Sequence, residues 1–426
     1  MSPAPAPVPV PNPTPAAPGT TTFGGPGRHG CPAELWQRLG LERALEQALP
    51  ELIGLRRHIH AHPELSGAEH QTAALAAGEL RLLGWEVREG VGRTGVVAEL
   101  GPEQAPLLAL RVDMDALPVE ERTGLTYASC HQGLMHACGH DLHTAIGLGV
   151  ARLLAPLADQ LTARLRLLFQ PAEEIAQGAA WMLADGAMEG VRALFGVHVF
   201  PSLAVGSIGV RSGSLTAAAG ELEVEVLGEG GHGARPHQST DAIWIAARVV
   251  SGLQEAISRR LDALQPVVVS FGKIEGGKAF NVIADHVRLL GTVRCLDTAV
   301  HAELPGWIED TVLAICRGYG GEGRVRYRCI APPVHNDPVL TALVEEAAIA
   351  LLGSRQVLRL EQPSLGAEDF AELLSVAPGT MFRLGVAGPS GCAPLHNGLF
   401  SPDEQALAVG VKVLTLSLLL WMERQV

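Results

Sequence analysis

From Pro32 onward the chain alternates between two periodicities, and the alternation predicts its architecture. "ELWQRLGLERALEQALPELIGLRRHIHAHPEL" places apolar residues three and four apart, the repeat of an amphipathic helix. "GAEHQTAALAAGELRLLG" is a second helical stretch, closed by glycine. "GVVAEL", "PLLALRVDMDAL", "ARLRLLFQP" and "ALFGVHVF" follow as strands, the last three being near-continuous apolar runs that end on polar residues. Such runs, separated by helical segments, predict an α/β fold: a mixed, largely parallel sheet with helices on both faces. In that architecture functional side chains collect at the strand ends.

The pattern changes after "PSLAVGSIGVRSGSLTAAAG". "ELEVEVLGEGG" alternates apolar and polar residues, as a half-exposed antiparallel strand does. A helix ("STDAIWIAARVVSGLQEAIS"), two strands ("PVVVSFGKIEGG", "HVRLLGTVRCLD"), a helix around "LPGWIEDTVLAICRGYG" and a strand ("RVRYRCI") come next. The order β-α-β-β-α-β predicts a split βαβ unit of α+β class, about 110 residues long. "DPVLTALVEEAAIALLG" returns to the earlier style, so the unit reads as an insertion. The expected division is 32–211 and 329–426 for the two parts of the larger domain and 212–328 for the inserted one. Residues 1–31, rich in proline and alanine and poor in large apolar side chains, are expected to form a disordered tail without the charged start and apolar centre of a secretory signal.

Composition narrows the function. The 426 residues carry a formal net charge of −13 and no basic block, which argues against nucleic acid as a partner. The apolar C-terminal stretch "VLTLSLLLWM" is too short to span a bilayer, which takes about 20 apolar residues, and is expected to be a buried helix. No membrane partner is expected. Seven scattered cysteines form no disulfide pattern and suggest a reducing compartment, the cytoplasm.

Five places concentrate metal-ligand side chains. They are Cys138 and His140, with His136, Asp141 and His143 beside them; Glu173 and Glu174, directly after a predicted strand; His198, on another; Asp113 and Asp115; and His396 in "APLHNG". Each has an ordinary reading. His198 alone would be a satisfied core histidine, Glu173 and Glu174 a solvated helix start, and the two aspartates a cap or turn. All five, however, fall at or just past apolar strand ends. A mixture of thiolate, imidazole and carboxylate suits a divalent transition ion such as Mn, Zn, Co or Ni. A nucleophilic Cys138 with His140 is the competing chemistry, and it leaves Glu173, Glu174, His198 and His396 without a role. A Cys-x-x-Cys pair and a Gly-x-Ser-x-Gly elbow are both missing from the sequence.

Nine stretches, in order from about residue 52 to 400, carry a family resemblance: "LRRHIHAHPELSG", "LRVDMDALPVEE", "MHACGHDLHTAIGLG", "FQPAEE", "GVHVFP", "GGHGARPH", "NVIADHVRLLGTVR", "GAEDFAELL" and "APLHN". The chain resembles the dinuclear metallo-aminoacylase/carboxypeptidase family, within it the hippurate hydrolases and indole-acetyl-amino-acid hydrolases. The resemblance implies a metal-dependent amidohydrolase acting on N-acyl-amino acids, with a small-peptide exopeptidase or a catalytically silent binding protein as alternatives. It implies that Cys138, His140, Glu174, His198 and His396 hold two divalent ions, Mn first among Mn, Zn, Co and Ni. Glu173 would be the general base, and Asp115 would orient a ligand from behind. His232 would stabilise the oxyanion, Asn281 would contact the substrate carboxylate, and the inserted domain would act as a lid that also joins a homodimer or homotetramer. Asp113-Met114-Asp115 stands where the wider family has His-x-Asp, and the Cys138 region where it has an aspartate, so the bridging ligand stays open. "NVIAD" stands in place of the usual "NVIPD".

Overall fold

Residues 31–424 are described by a computed structural model. The expected N-terminal tail, apart from Cys31, lies outside the described residues. Eight strands make the larger sheet, in the order Glu86–Val91, Gly95–Leu100, Arg164–Gln170, Leu107–Asp113, Val191–Ala204, Gly379–Ala387, Ile208–Val210, Val357–Arg359. The four central strands, from Arg164–Gln170 to Gly379–Ala387, run parallel. Antiparallel pairings join the hairpin at one edge and the short strand Ile208–Val210 toward the other.

The near-continuous apolar strands are apolar because both faces of the sheet are covered. Along Leu107–Asp113, Leu108, Leu110 and Val112 enter one core, shared with residues of the helices Leu41–Ala61, His140–Leu154 and Gln405–Arg424. Leu107 and Ala109 enter the opposite core, with Met182 and Phe370. Alternate side chains of one strand thus serve two layers of helix. "VLTLSLLLWM" belongs to a 20-residue helix, Gln405–Arg424, longer than the stretch read from the sequence. Its length and composition would allow it to cross a membrane, yet it is packed inside the fold.

The remaining four long strands form a second sheet, ordered Val267–Gly276, His286–Cys295, Ala218–Leu227, Glu322–Ala331 and antiparallel throughout. The helices Ala242–Arg260 and Thr298–Gly318 pack on it around Val224, Val226, Ile245 and Leu304. This is the β-α-β-β-α-β order expected from the pattern. The last strand runs past residue 328 to Ala331, and Gly213–Ser214 pairs with His335–Asn336, so the two connections to the larger sheet lie side by side.

A buried polar network explains one histidine of "RRHIHAHPEL". His60 is fully buried; its Nδ1 lies 2.8 Å from Asp141 and its Nε2 3.3 Å from Glu121. Arg56 Nε lies 2.7 Å from the same Asp141 oxygen. These contacts pin the helix Leu41–Ala61 to the first turn of the helix His140–Leu154, which begins at the candidate site. Burial alone would raise the Glu121 carboxyl, but hydrogen bonds from His60, the Ser129 N–H and Thr123 outweigh it and hold the group down at about 2. A carboxylate depressed in the folded state contributes stability that is present above its unfolded pKa, near 4.5, and is lost as pH falls toward the folded value. The stability gap between wild type and Glu121→Gln should therefore be widest at neutral pH and close between about pH 4.5 and 2. Chemical denaturation across that range measures it, and a gap independent of pH would contradict the assignment.

Candidate metal centre

The parallel strands deliver the site. Asp113 ends one strand, and Asp115 follows two residues later. The strand Arg164–Gln170 leads into the turn carrying Glu173 and Glu174, and Val191–Ala204 carries His198. Cys138 and His140 flank Gly139, which precedes the helix His140–Leu154 with φ +81°. A side chain at Gly139 would be strained in that conformation, and its Cβ would meet Val199 Cγ2 at 2.7 Å. Three other backbone positions here are left-handed without being glycine, Ala172 at φ +53°, Ala176 at +50° and His396 at +62°. Such conformations cost free energy and are found where surrounding structure holds them. Ala172 is held by Glu69, whose buried carboxylate accepts its N–H at 2.8 Å, and the His396 N–H donates to the Ala137 carbonyl at 2.8 Å.

All five proposed ligands converge. The ligand atoms of Cys138, His140 and His198 lie within 4.8 Å of one another, and so do those of Cys138, Glu174 and His396. The two triads share Cys138. The Cys138 sulfur is 3.6 Å from His198 Nε2, and His396 Nε2 is 3.5 Å from Glu174 Oε1. Glu173 lies beside them, 3.9 Å from His140 Nε2.

The His140 and His198 imidazoles are oriented from behind. Asp115 Oδ1 lies 3.2 Å from His140 Nδ1, while its other oxygen accepts from the Ser66 hydroxyl at 2.7 Å and the Glu174 N–H at 3.0 Å. His198 Nδ1 faces the Val199 carbonyl at 2.8 Å. In both rings Nε2 is left facing the cluster. His140 Nε2 and Glu174 Oε1 are buried atoms without a hydrogen-bond partner among the described residues. Unpaired buried polar atoms are costly, and here they surround one point with sulfur, nitrogen and oxygen donors that suit a transition ion. His143 differs: its Nδ1 is 2.6 Å from Asp113 and its Nε2 accepts the Val199 N–H at 2.9 Å, so both nitrogens are engaged in holding the strands together.

The electrostatics show a surplus of negative charge. Burial, then Glu368, Asp369 and Glu174, push the Glu173 carboxyl well above the usual range. Burial and Glu174 do the same to the Cys138 thiol. Behind Glu173, the fully buried Arg111 reaches Asp113, Glu368 (3.1 Å) and Asp369 (3.0 Å). Sequence reasoning did not single out Arg111, Glu368, Asp369, Glu69 or Arg383 as site residues. Four of them sit inside stretches that carried signal, "LRVDMDAL", "GAEDF" and "GAEHQT", but nothing in the sequence says that they meet.

The centre lines a cleft of about 720 Å³. Its wall includes Ile175, Phe200, Ile330 and Leu395, and one side is formed by the second sheet through Arg328 and Ile330. His232 and Asn281 do not line it. Both are exposed, on the short paired strands Gly231–His232 and Val282–Ile283 or next to them.

A thiolate–imidazole–carboxylate cluster with a buried acid beside it, at the ends of parallel strands, is the arrangement of a metal-dependent hydrolase. Residues 109–419 match peptidase family M20/M25/M40, and the chain belongs to that family, whose members hydrolyse amide bonds. It is 52% identical over 385 residues to a probable hydrolase of Synechocystis sp., covering 89% of this chain and 98% of that one. To an N-acetyl-L-cysteine deacetylase of Bacillus subtilis it is 41% identical, covering 84% and 85%. The crystal structure of a Bacillus subtilis dinuclear metal-binding M20 peptidase superposes with a TM-score of 0.78 at 35% identity, covering 89% and 99%.

Proposed function

We propose that this hydrolase cleaves N-acyl-amino acids into a carboxylic acid and a free amino acid, using two divalent ions. The observation that carries the reading is the pair of candidate ligand triads sharing Cys138, with Glu173 lining the same cleft beside them. Cys138, His140, Glu174, His198 and His396 would hold the ions. Bound there, the ions would lower the pKa of water and polarise the amide carbonyl. Mn is carried over as the first choice from the family resemblance, and the ligand types are compatible with Mn, Zn, Co and Ni.

The protein's own part follows from the geometry. Glu173 takes the proton of the attacking water and passes it to the departing amine nitrogen; its crowded, buried setting favours the protonated form needed for the second transfer. Glu174 serves as a ligand while Glu173 handles the proton, because the turn lets adjacent side chains serve different partners. Asp115 fixes both His140 and the Glu174 backbone, so the ligand geometry exists before substrate arrives. His232 and Asn281, outside this cleft, are assigned to oxyanion and carboxylate contacts made on lid closure or across a homodimer or homotetramer. Exposed Trp244, Phe280 and Val282 on the inserted unit support that assembly. Seven unpaired thiols fit a cytoplasmic setting.

The test is amino-acid release from N-acetyl-, N-benzoyl- and N-indoleacetyl-amino acids, with dipeptides alongside. Release should fall to background after chelation and return when Mn or Zn is added back. Protein that binds stoichiometric metal and releases nothing from any of these substrates overturns the reading. Release from dipeptides alone transfers the function to an exopeptidase.

A further inference from the structure

Arg383 is a buried cation with no carboxylate at ion-pair distance among the described residues. It sits on the strand Gly379–Ala387, directly beside His198 in the parallel register, and lines the cleft. It is 7% exposed. Its guanidinium lies 5.6 Å from the centre of the Phe200 ring, and no carboxylate among the described residues comes within ion-pair distance of it. The other two arginines near the cleft are committed. Arg111 is locked to Asp113, Glu368 and Asp369, and Arg328 pairs with Glu221 and is 61% exposed. Glu368, Cys138 and Glu173 favour the charge on Arg383 only from a distance, and burial outweighs them.

An arginine stays protonated in proteins, so it cannot escape this situation by losing its charge. Burying an unpaired cation is costly, and a fold that does so next to its reaction centre keeps the donors free for something that arrives. A planar fork of N–H donors is matched best by a carboxylate, which accepts two parallel hydrogen bonds. Phe200 and Ile330 supply apolar wall close by for the carbon skeleton that bears it.

We infer that Arg383 anchors a carboxylate of the substrate, and that the enzyme selects N-acyl compounds by that negative charge from inside its own cleft. The inference rests on the amidohydrolase reading above, and it places an anchor on the larger sheet in addition to the Asn281 contact proposed for the inserted unit. The carboxylate is either that of the released amino acid or one carried by the acyl group.

Three substrates separate these sources: N-acetyl-leucine, N-acetyl-leucinamide and N-succinyl-leucinamide. Wild type should prefer one of the two acids over N-acetyl-leucinamide, and Arg383→Leu should reduce that preference in kcat/KM by about 30-fold or more, mainly through KM. Collapse for N-acetyl-leucine assigns the amino-acid carboxylate; collapse for N-succinyl-leucinamide assigns the acyl side. Arg383→Lys should restore part of the preference, which a folding defect would not do, and metal content should stay at the wild-type level in both variants. Equal losses on all three substrates, or no loss, would overturn the inference and leave Arg383 as a counter-charge to Glu173 and Glu368. Calorimetric binding of the same compounds to chelator-stripped protein gives the answer without turnover. Arg383-dependent binding of an acid by protein that hydrolyses nothing would keep the anchor and overturn the hydrolase; wild type that binds neither acid better than the amide overturns the anchor.

Discussion

Glu173→Gln is expected to keep its metal and lose about 10²–10⁴-fold or more in kcat, the scale of a general base removed. The amide occupies nearly the volume of the carboxylate, so the turn after Gln170 should persist. The five proposed ligand side chains are untouched, and the Asp115 contacts that orient His140 and the Glu174 backbone do not involve Glu173. What the variant lacks is a group able to accept a proton and then return it. The carboxyl is suited to both steps because it is 8% exposed and crowded by Glu368, Asp369 and Glu174. Metal content by elemental analysis and single-substrate kinetics on the same sample decide the matter. Normal turnover with full metal would remove Glu173 from the reaction, and loss of metal would move it into the ligand set.

The largest expected effect on stability is at Arg111. It is fully buried, donates to Gln170 at 2.9 Å, and is paired with Asp113, Glu368 and Asp369. Removing one member of a buried ionic cluster strands the others. Arg111→Met should therefore cost about 3–5 kcal/mol at neutral pH, well above the cost of a lost surface ion pair. The deficit should shrink in acid, because the stranded carboxyls would bind protons more readily folded than unfolded, and stability then falls as pH rises. Denaturant titration at neutral and acid pH checks both the size and the sign. A loss below about 1 kcal/mol at neutral pH would mean that the three acids do not depend on this cation.

The same two positions show where sequence reasoning succeeds and where it stops. Glu173 was legible because the apolar run "RLRLLFQP" predicts a strand, and a pair of acids just past a buried parallel strand stands at the mouth of the sheet. His198 was legible from its apolar strand, whereas Cys138 and His140 were legible from the density of ligand types in "MHACGHDLHT"; they stand at a helix start and not, as expected, at a strand end. The alternation in "ELEVEVL" announced a second sheet of different construction. Periodicity is local, so it reports which face of an element is apolar and where the element ends. Arg111 was invisible by that logic: a charged residue inside "LLALRVD" looks like an interruption of the core. Its acceptors are up to 258 positions away, at Asp369, and only the packed sheet brings them together. Arg383 is the same case, an arginine within "TMFRLGV" whose meaning comes from lying next to His198 on the neighbouring strand.

The sequence by itself determined the elements, the two kinds of sheet and the residue types of a metal centre, because those follow from spacing along the chain and from side-chain chemistry. The tertiary structure decided that two candidate ligand triads share Cys138, that His143 holds strands together, that His232 and Asn281 stand outside this cleft, and that Arg383 meets no carboxylate at ion-pair distance among the described residues. Each of these depends on distances between residues far apart in the chain, which are fixed by strand order and register and which no local pattern encodes.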